Sequence, residues 1–424
     1  MRYVIIGNGI AGNTAAEKLR DLDPRADITM VSDEAQSFYT ACALPHYLSG
    51  DIKRNALFVK RRRDYQRDRI KVVFGRRVLA LNTVDKKVVF DGDALDYDRL
   101  VLAIGARPLV PPIEGAKLPG VCTFKYIADA LQIVRHIPKT AVVVGSGPIG
   151  TEVAIALRKK GAKVYIIELL ARMMPRLFDD RPASLLSGIL AAHDIEVSTG
   201  ERAVRIIGGE SVEGIVTDKR SMSCDLVVMA AGMRPNSEIA REAGISVAAR
   251  GGIIVDREMR TSSSDIFACG DCVEAADLIT GAPSMIQLWH NAKDQAIVAA
   301  SNAAGRQCSY SGSINITSLD VFGNHAVSFG TVQADLAGQA GIEVIDKAHG
   351  ENGYHRLVLD HGRIVGAQFV GDLEDMGAVL FSLIRRDRLQ DLVEFGQDLS
   401  APSIIQHNYR FPRFLAARKR ALAT

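Results

Sequence analysis

Two glycine clusters and one cysteine carry most of the chemistry offered by this 424-residue sequence. The clusters are Gly7-Asn8-Gly9-Ile10-Ala11-Gly12 and Gly145-Ser146-Gly147-Pro148-Ile149-Gly150, both with GxGxxG spacing. Such a turn uses its first glycine for a sharp bend. The second lets backbone approach a pyrophosphate, and the third lets helix and strand pack closely. The anion then rests on the N-terminus of the next helix. An acid follows each turn at about the ~20-residue distance where a carboxylate accepts from a ribose hydroxyl. These acids are Asp33 and Glu34 after the first turn and Glu168 after the second. The spacing predicts two dinucleotide sites in one chain, and electron transfer between them is the economical reason to hold both.

The flanking segments read as the elements needed to position those turns. Tyr3 to Ile6 is a short apolar run, Asn13 to Arg20 has helical patterning, and Ile28 to Val31 reads as a second strand. The order recurs with Ala141 to Val144, a helix to about Lys160, and Lys163 to Ile167. The repeat extends further. Ala103-Ile104-Gly105-Ala106-Arg107-Pro108 and Ala230-Ala231-Gly232-Met233-Arg234-Pro235 both follow apolar runs. Prolines 108, 111 and 112 predict a domain crossing. Val72 to Phe74, Val78 to Ala80 and Lys87 to Phe90 read as short strands. From about Ser309 the character changes to alternating strands, Ile314 to Thr317 and Tyr354 to Leu359, then helical patterning from about Leu373 to Leu392. That region has no phosphate loop and no obvious nucleophile, so self-association is its expected use.

Bulk composition narrows the classes. Apolar residues make up 47% and charged residues 24%, ordinary values for a globular protein. A net charge of +3 demands no nucleic-acid partner. No signal-peptide pattern and no membrane span is apparent, which leads us to expect a cytoplasmic protein. Six cysteines, Cys42, Cys122, Cys224, Cys269, Cys272 and Cys308, are spread too thinly for a disulfide framework. Cys269 and Cys272 form a CxxC with no second pair, so no metal site is expected. Residues 60 to 71 are strongly basic. They read either as a solvated helix face or, through Lys60, Arg61, Arg62 and Arg63, as a patch for a phosphorylated substrate.

Taken together, these elements resemble the pyridine nucleotide-disulfide oxidoreductases over essentially the whole chain. The resemblance implies an α/β fold with two Rossmann-like domains, the NAD domain inserted into the FAD domain, plus a C-terminal α+β dimerisation domain. It places FAD on 1–112 and 245–308, NAD(P)H on 113–244 and dimerisation on 309–424. Gly7, Gly9, Ile10, Ala11, Gly12, Asp33, Glu34, Ala103 and Gly105 would then meet FAD. So would Gly270 and Asp271, which end the stretch Thr261 to Asp271, with Asp271 on a ribityl hydroxyl. Gly145, Gly147, Ile149, Gly150, Glu168 and Gly232 would meet NADH. Glu168 would repel a 2′-phosphate, so NADPH is less favoured, although Arg172 lies near. Cys269 and Cys272 then fall inside a flavin-binding turn as structural residues.

Ser37-Phe38-x-x-x-Cys42-x-Leu44-Pro45-x-Tyr47-x-x-Gly50 is similar to the single-cysteine loop of coenzyme A disulfide reductases, persulfide reductases, NADH oxidases and NADH peroxidases. That loop implies a thiolate against the flavin, its pKa lowered by a cation or a helix N-terminus. A free cysteine is also commonly a small buried hydrophobe. Three departures stand out. Ile10 replaces the His of the oxidases and peroxidases, Ala43 replaces a Gly, and Asp398-Leu399-Ser400-Ala401-Pro402 lacks the expected tyrosine, for which Tyr409 is a stand-in. The expected enzyme is a homodimeric FAD-dependent NADH oxidoreductase that passes electrons through Cys42 to a disulfide, persulfide or polysulfide, a coenzyme A form included. Two alternatives remain. One is a reductase of a quinone, oxygen or a ferredoxin- or rubredoxin-type protein with no role for Cys42. The other is a flavin-binding subunit or redox sensor.

Overall fold

The computed structural model describes residues 1–349 and 353–389. The described chain packs as two compact units, Met1–Pro175 with Leu186–Asn315, and Arg176–Leu185 with the described residues from Ile316.

The first unit holds two parallel sheets of the same design. In the first, Arg2–Ile6 lies between Asp27–Val31 and Arg99–Leu102, with Ile70–Val73 at one edge and Ile266–Ala268 at the other. Thr140–Val144 is central to the second sheet, between Lys163–Glu168 and Leu226–Met229, with Ile195–Thr199 and Val121–Cys122 at the edges. The chain thus leaves the first sheet after Leu102, builds all of the second, and returns at Ile266. Central strands such as Val4-Ile5-Ile6 and Val142-Val143-Val144 are buried on both faces, as helix-covered parallel sheets require. Each such side chain contributes about 1.5–3 kcal/mol by leaving water.

The second copy of the Ala-x-Gly-x-Arg-Pro pattern has a structural reason. Ala106–Pro108 and Met233–Pro235 pair antiparallel, Ala106 opposite Pro235. The Arg107 guanidinium joins Asn236 at 2.9 Å and Glu238 at 2.5 Å across that two-stranded ribbon. The predicted crossing at the first proline is therefore one half of a paired structure.

In the second unit, five antiparallel strands run in the order Ile316–Val321, Asn324–Gly330, Arg363–Val370, Gly353–Asp360, Ile342–His349. Met376–Arg385 is a helix inside the predicted Leu373 to Leu392 and ends in a left-handed Arg386, while 390–392 of that prediction lie outside the described residues. The expected strand at Ile314 begins two residues later. Residues 176–185 reach this unit from mid-chain. There the buried Asp179 carboxylate accepts from Gln368 Nε2 at 2.6 Å and Gln333 N at 3.1 Å, and pairs with Arg356 at 3.4 Å. Tyr409 and the 398–402 stretch lie outside the described residues.

Candidate functional site

The two glycine turns divide their work in the same way. Gly7 and Gly145 have φ of +115° and +110°, and a Cβ on either would strike a backbone carbonyl, that of Ala103 or Ala230. Gly12 and Gly150 leave no room either, because a Cβ would meet the carbonyl of Gly7 or Gly145. The middle glycines differ. Gly9 has φ −79° and Gly147 φ −60°, ordinary extended conformations open to any residue. A Cβ on either meets nothing within 4 Å. The fold itself needs no glycine there. Each begins a helix, Ile10–Leu22 or Pro148–Lys159, whose first N–H groups lack partners. The open space beside them fits the pyrophosphate of a dinucleotide.

Hydrogen bonds tie the first turn to the cysteine loop. Asn8 Nδ2 donates to Gln36 O at 3.2 Å, and Tyr65 OH donates to Asn8 Oδ1 at 2.8 Å while accepting from Phe38 N. Residues 57–60 pair with the same loop, Thr40 N to Leu57 O at 2.9 Å and Lys60 N to Phe38 O at 3.2 Å. Cys42 sits in the 3₁₀ turn Ala41–Ala43, which runs directly into the helix Leu44–Ser49. That helix packs on Pro148–Lys159, which follows the second turn. One side of the cysteine loop thus belongs to the first sheet's surroundings and the other to the second's.

The acids are placed differently from one another. Asp33 is exposed. Glu34 accepts from Tyr39 OH at 2.7 Å, and that oxygen takes the N–H of Ile127 at 3.1 Å. Burial raises the Glu34 pKa, and the Tyr39 bond partly offsets this. Glu168 is buried at the end of its strand. Near Asp271, the Lys125 ammonium stands 3.7 Å away, its pKa lowered by burial against the pull of Asp271. Gly270, φ +82°, makes its close approach to Ala11, whose Cβ would lie 3.0 Å from an added Cβ. The turn's glycine is required for packing on the helix Ile10–Leu22. Gly105 and Gly232 are left-handed with open space around them, Ala103 is buried, Ile10 is half-buried and Ile149 is exposed.

Cys42 is the exposed thiol among the described residues. Its electrostatics run against the expected lowering of its pKa. The surrounding protein raises its pKa, and the charges of Glu152 and then Asp271 add to that, against a lowering hydrogen bond from Thr40. Glu152 projects from Pro148–Lys159, and burial alone pushes its carboxyl up to about 7. Burial holds Cys269 well above its ordinary range and pushes Cys272 to about 12, and Cys272 Sγ lies 3.3 Å from Cys269 O. Both are inert thiols in a packed turn. Among the described residues no group of metal-ligating side chains forms. No helix there is long and apolar enough to cross a membrane.

A measurement follows from the Cys42 surroundings. Above pH ~7 the Glu152 carboxylate is ionised and opposes the thiolate, so Glu152→Gln speeds alkylation of Cys42 severalfold at pH 8. Iodoacetamide labelling followed by mass spectrometry reads it, and equal rates would show that Glu152 does not act on the thiol.

The basic run resolves into parts. Lys60 is buried and pairs with Glu17 at 2.7 Å, so it is no phosphate ligand. Arg61, Arg62 and Arg63 are exposed at the start of the helix Arg62–Arg67, with the Arg62 guanidinium 4.7 Å from the Phe74 ring centre. Sequence reasoning passed over Ser146, Glu152, Lys125 and Tyr39. Glu152 sits two residues past a GxGxxG, a weak signal, and the others carry none.

Residues 1–296 match the family described as pyridine nucleotide-disulphide oxidoreductase, and 316–387 match the rubredoxin NAD+ reductase C-terminal domain. An NADH oxidase of Methanocaldococcus jannaschii is 30% identical over 92% of this chain and 94% of its own. The NAD-dependent persulfide reductase from A. fulgidus superposes with a TM-score of 0.87 at 31% identity, over 95% of this chain and 80% of that one. The water-forming NADH oxidase from Lactobacillus brevis, bound to NADH, gives 0.88 at 26% identity, over 95% and 94%. This chain belongs to the pyridine nucleotide-disulphide oxidoreductase family, as an NAD(P)H-dependent flavin oxidoreductase whose cofactors are FAD and NADH.

Proposed function

We propose that the protein passes electrons from NADH to a disulfide, persulfide or polysulfide by way of Cys42. FAD binds at Gly9 and the Glu34 end of the first sheet, and NADH at Gly147 and Glu168. The observation that carries this reading is the setting of Cys42: exposed, in a loop braced by the first glycine turn, and within the field of Glu152 from the second-turn helix. When bound, FAD supplies hydride acceptance and release of an electron pair. Cys42, once deprotonated, attacks one sulfur of R–S–S–R′ and expels R′–S⁻, which leaves a mixed disulfide. Two electrons originating in NADH then cleave that bond, returning the Cys42 thiolate and R–S⁻. The ionised Glu152 carboxylate opposes the Cys42 thiolate and so sets the pH above which the attack runs. The persulfide reductase of A. fulgidus, at 31% identity, supports the sulfur acceptor.

A second reading has its own support. The match of 316–387 to a rubredoxin reductase domain, and the exposure of Arg61, Arg62 and Arg63, favour an acidic electron-transfer protein docking at those arginines. Changing all three to Glu then lowers the rate with such a protein about tenfold at low salt. The deficit shrinks above ~0.15 M, where screening acts within about 8 Å. A salt-independent deficit, or none, sinks that docking face.

A further inference from the structure

Ser146 is the second residue of the second glycine turn and has no exposed surface. Its hydroxyl donates to Glu168 Oε2 at 2.7 Å and accepts from Met174 N at 2.9 Å. Its backbone N–H reaches the same Glu168 oxygen at 2.9 Å. Thr151 Oγ1, from one helical turn on, donates to the Ser146 carbonyl at 3.0 Å and fixes the peptide. The Glu168 carboxylate is therefore held on both sides. Oε2 accepts two bonds from Ser146, which fill its lone pairs, while Oε1 accepts one, from Leu170 N at 2.9 Å. One lone pair remains, on Oε1.

We propose that Ser146 is the positioning residue for coenzyme choice, locking the Glu168 carboxylate in the one rotamer that offers Oε1 to a ribose 2′-hydroxyl. The inference rests on Glu168 meeting the adenine ribose. A 2′-hydroxyl donates into the remaining lone pair. A 2′-phosphate has no proton to give and fits only if the carboxylate swings aside. The hydroxyl bond opposes that swing, and because Ser146 is fully buried no water replaces it. The same hydroxyl holds Met174 N, so the loop after Glu168 and the glycine turn are fixed to one another through a single oxygen.

The test is titration calorimetry of NAD+ and NADP+ on the oxidised holoenzyme, with KM and kcat for both reduced coenzymes alongside. Ser146→Ala weakens NAD+ about tenfold, the scale of one hydrogen bond to a charged group. NADP+ affinity holds or rises, and kcat at saturating NADH is kept. Ser146→Cys, a weaker donor of similar shape, falls between. Glu168→Gln lowers the NAD+/NADP+ ratio, and adding Ser146→Ala to it changes the ratio no further. Equal losses for both coenzymes, or no change, overturn the proposal. Should the Ala variant yield no folded flavoprotein, a wild-type ratio in Ser146→Cys overturns it instead. If Glu168→Gln keeps the ratio, the ribose reading has failed; if it alters the ratio and Ser146→Ala does not, only the Ser146 proposal has.

Discussion

Cys42→Ser lowers NADH-driven reduction of a polysulfide or disulfide by about a hundredfold or more, equivalent to ~2.7 kcal/mol of lost transition-state stabilisation. NADH oxidation by a dye that accepts electrons directly from the flavin stays at the wild-type rate. The split follows from what the substitution removes. Serine keeps the shape of the side chain and can accept no electrons, since no mixed disulfide forms on oxygen. The site is exposed, so folding changes by no more than about 0.5 kcal/mol. Anaerobic NADH titration followed by visible absorbance checks it independently: the wild type takes up electron equivalents beyond those of its flavin, and the variant does not. The pH dependence carries the same signature. Because protein surroundings and Glu152 raise the thiol pKa, the wild-type rate with sulfur acceptors climbs as pH rises through the thiol range, and Glu152→Gln moves that climb to lower pH. Full sulfur reduction by Cys42→Ser would leave the protein-acceptor reading standing.

The parts of this site legible in sequence are those that local geometry dictates. A glycine at φ +115° against the Ala103 carbonyl admits no other residue, so Gly7 and its counterpart Gly145 mark their turns unambiguously. The repeated Ala-x-Gly-x-Arg-Pro was visible for the same reason, but its pairing into a ribbon required two distant segments to meet. Electrostatics were not legible. The charges that act on Cys42 come from Glu152 and Asp271, far apart in the chain, and no spacing rule links them to residue 42. The expected lowering of the Cys42 pKa, by a cation or a helix N-terminus, was carried over from what a reactive thiol ordinarily needs, and the charges of Glu152 and Asp271 act the other way. The packing of Gly270 against Ala11 was not legible either, since it joins two segments far apart in the chain. Residues 176–185 were missed altogether. Asp179-Asp180 looks like an ordinary acidic pair, and only strands after Ile316 supply the partners that bury Asp179.

The contrast between first and second glycines makes the other large prediction. Gly9→Val yields a folded, colourless protein whose affinity for FAD falls by about a hundredfold or more, some 2.8 kcal/mol. Valine adopts the Gly9 backbone conformation without strain, and its Cβ meets no protein atom within 4 Å. Its methyl groups then occupy the space in front of the N–H groups that open the helix Ile10–Leu22. That is where an anion gains both hydrogen bonds and the helix dipole. Gly7→Val differs in kind, since its Cβ collides with the Ala103 carbonyl at a φ valine rarely adopts, and the protein fails to fold. Far-ultraviolet circular dichroism, visible absorbance and FAD titration distinguish the two. A yellow Gly9→Val protein with wild-type FAD affinity would mean that no pyrophosphate lies against the first turn. The same substitution at Gly147 should leave the flavin in place and remove NADH binding alone, because the two turns serve different sheets. If the Gly147 variant lost its colour as well, the assignment of one cofactor to each turn would be wrong.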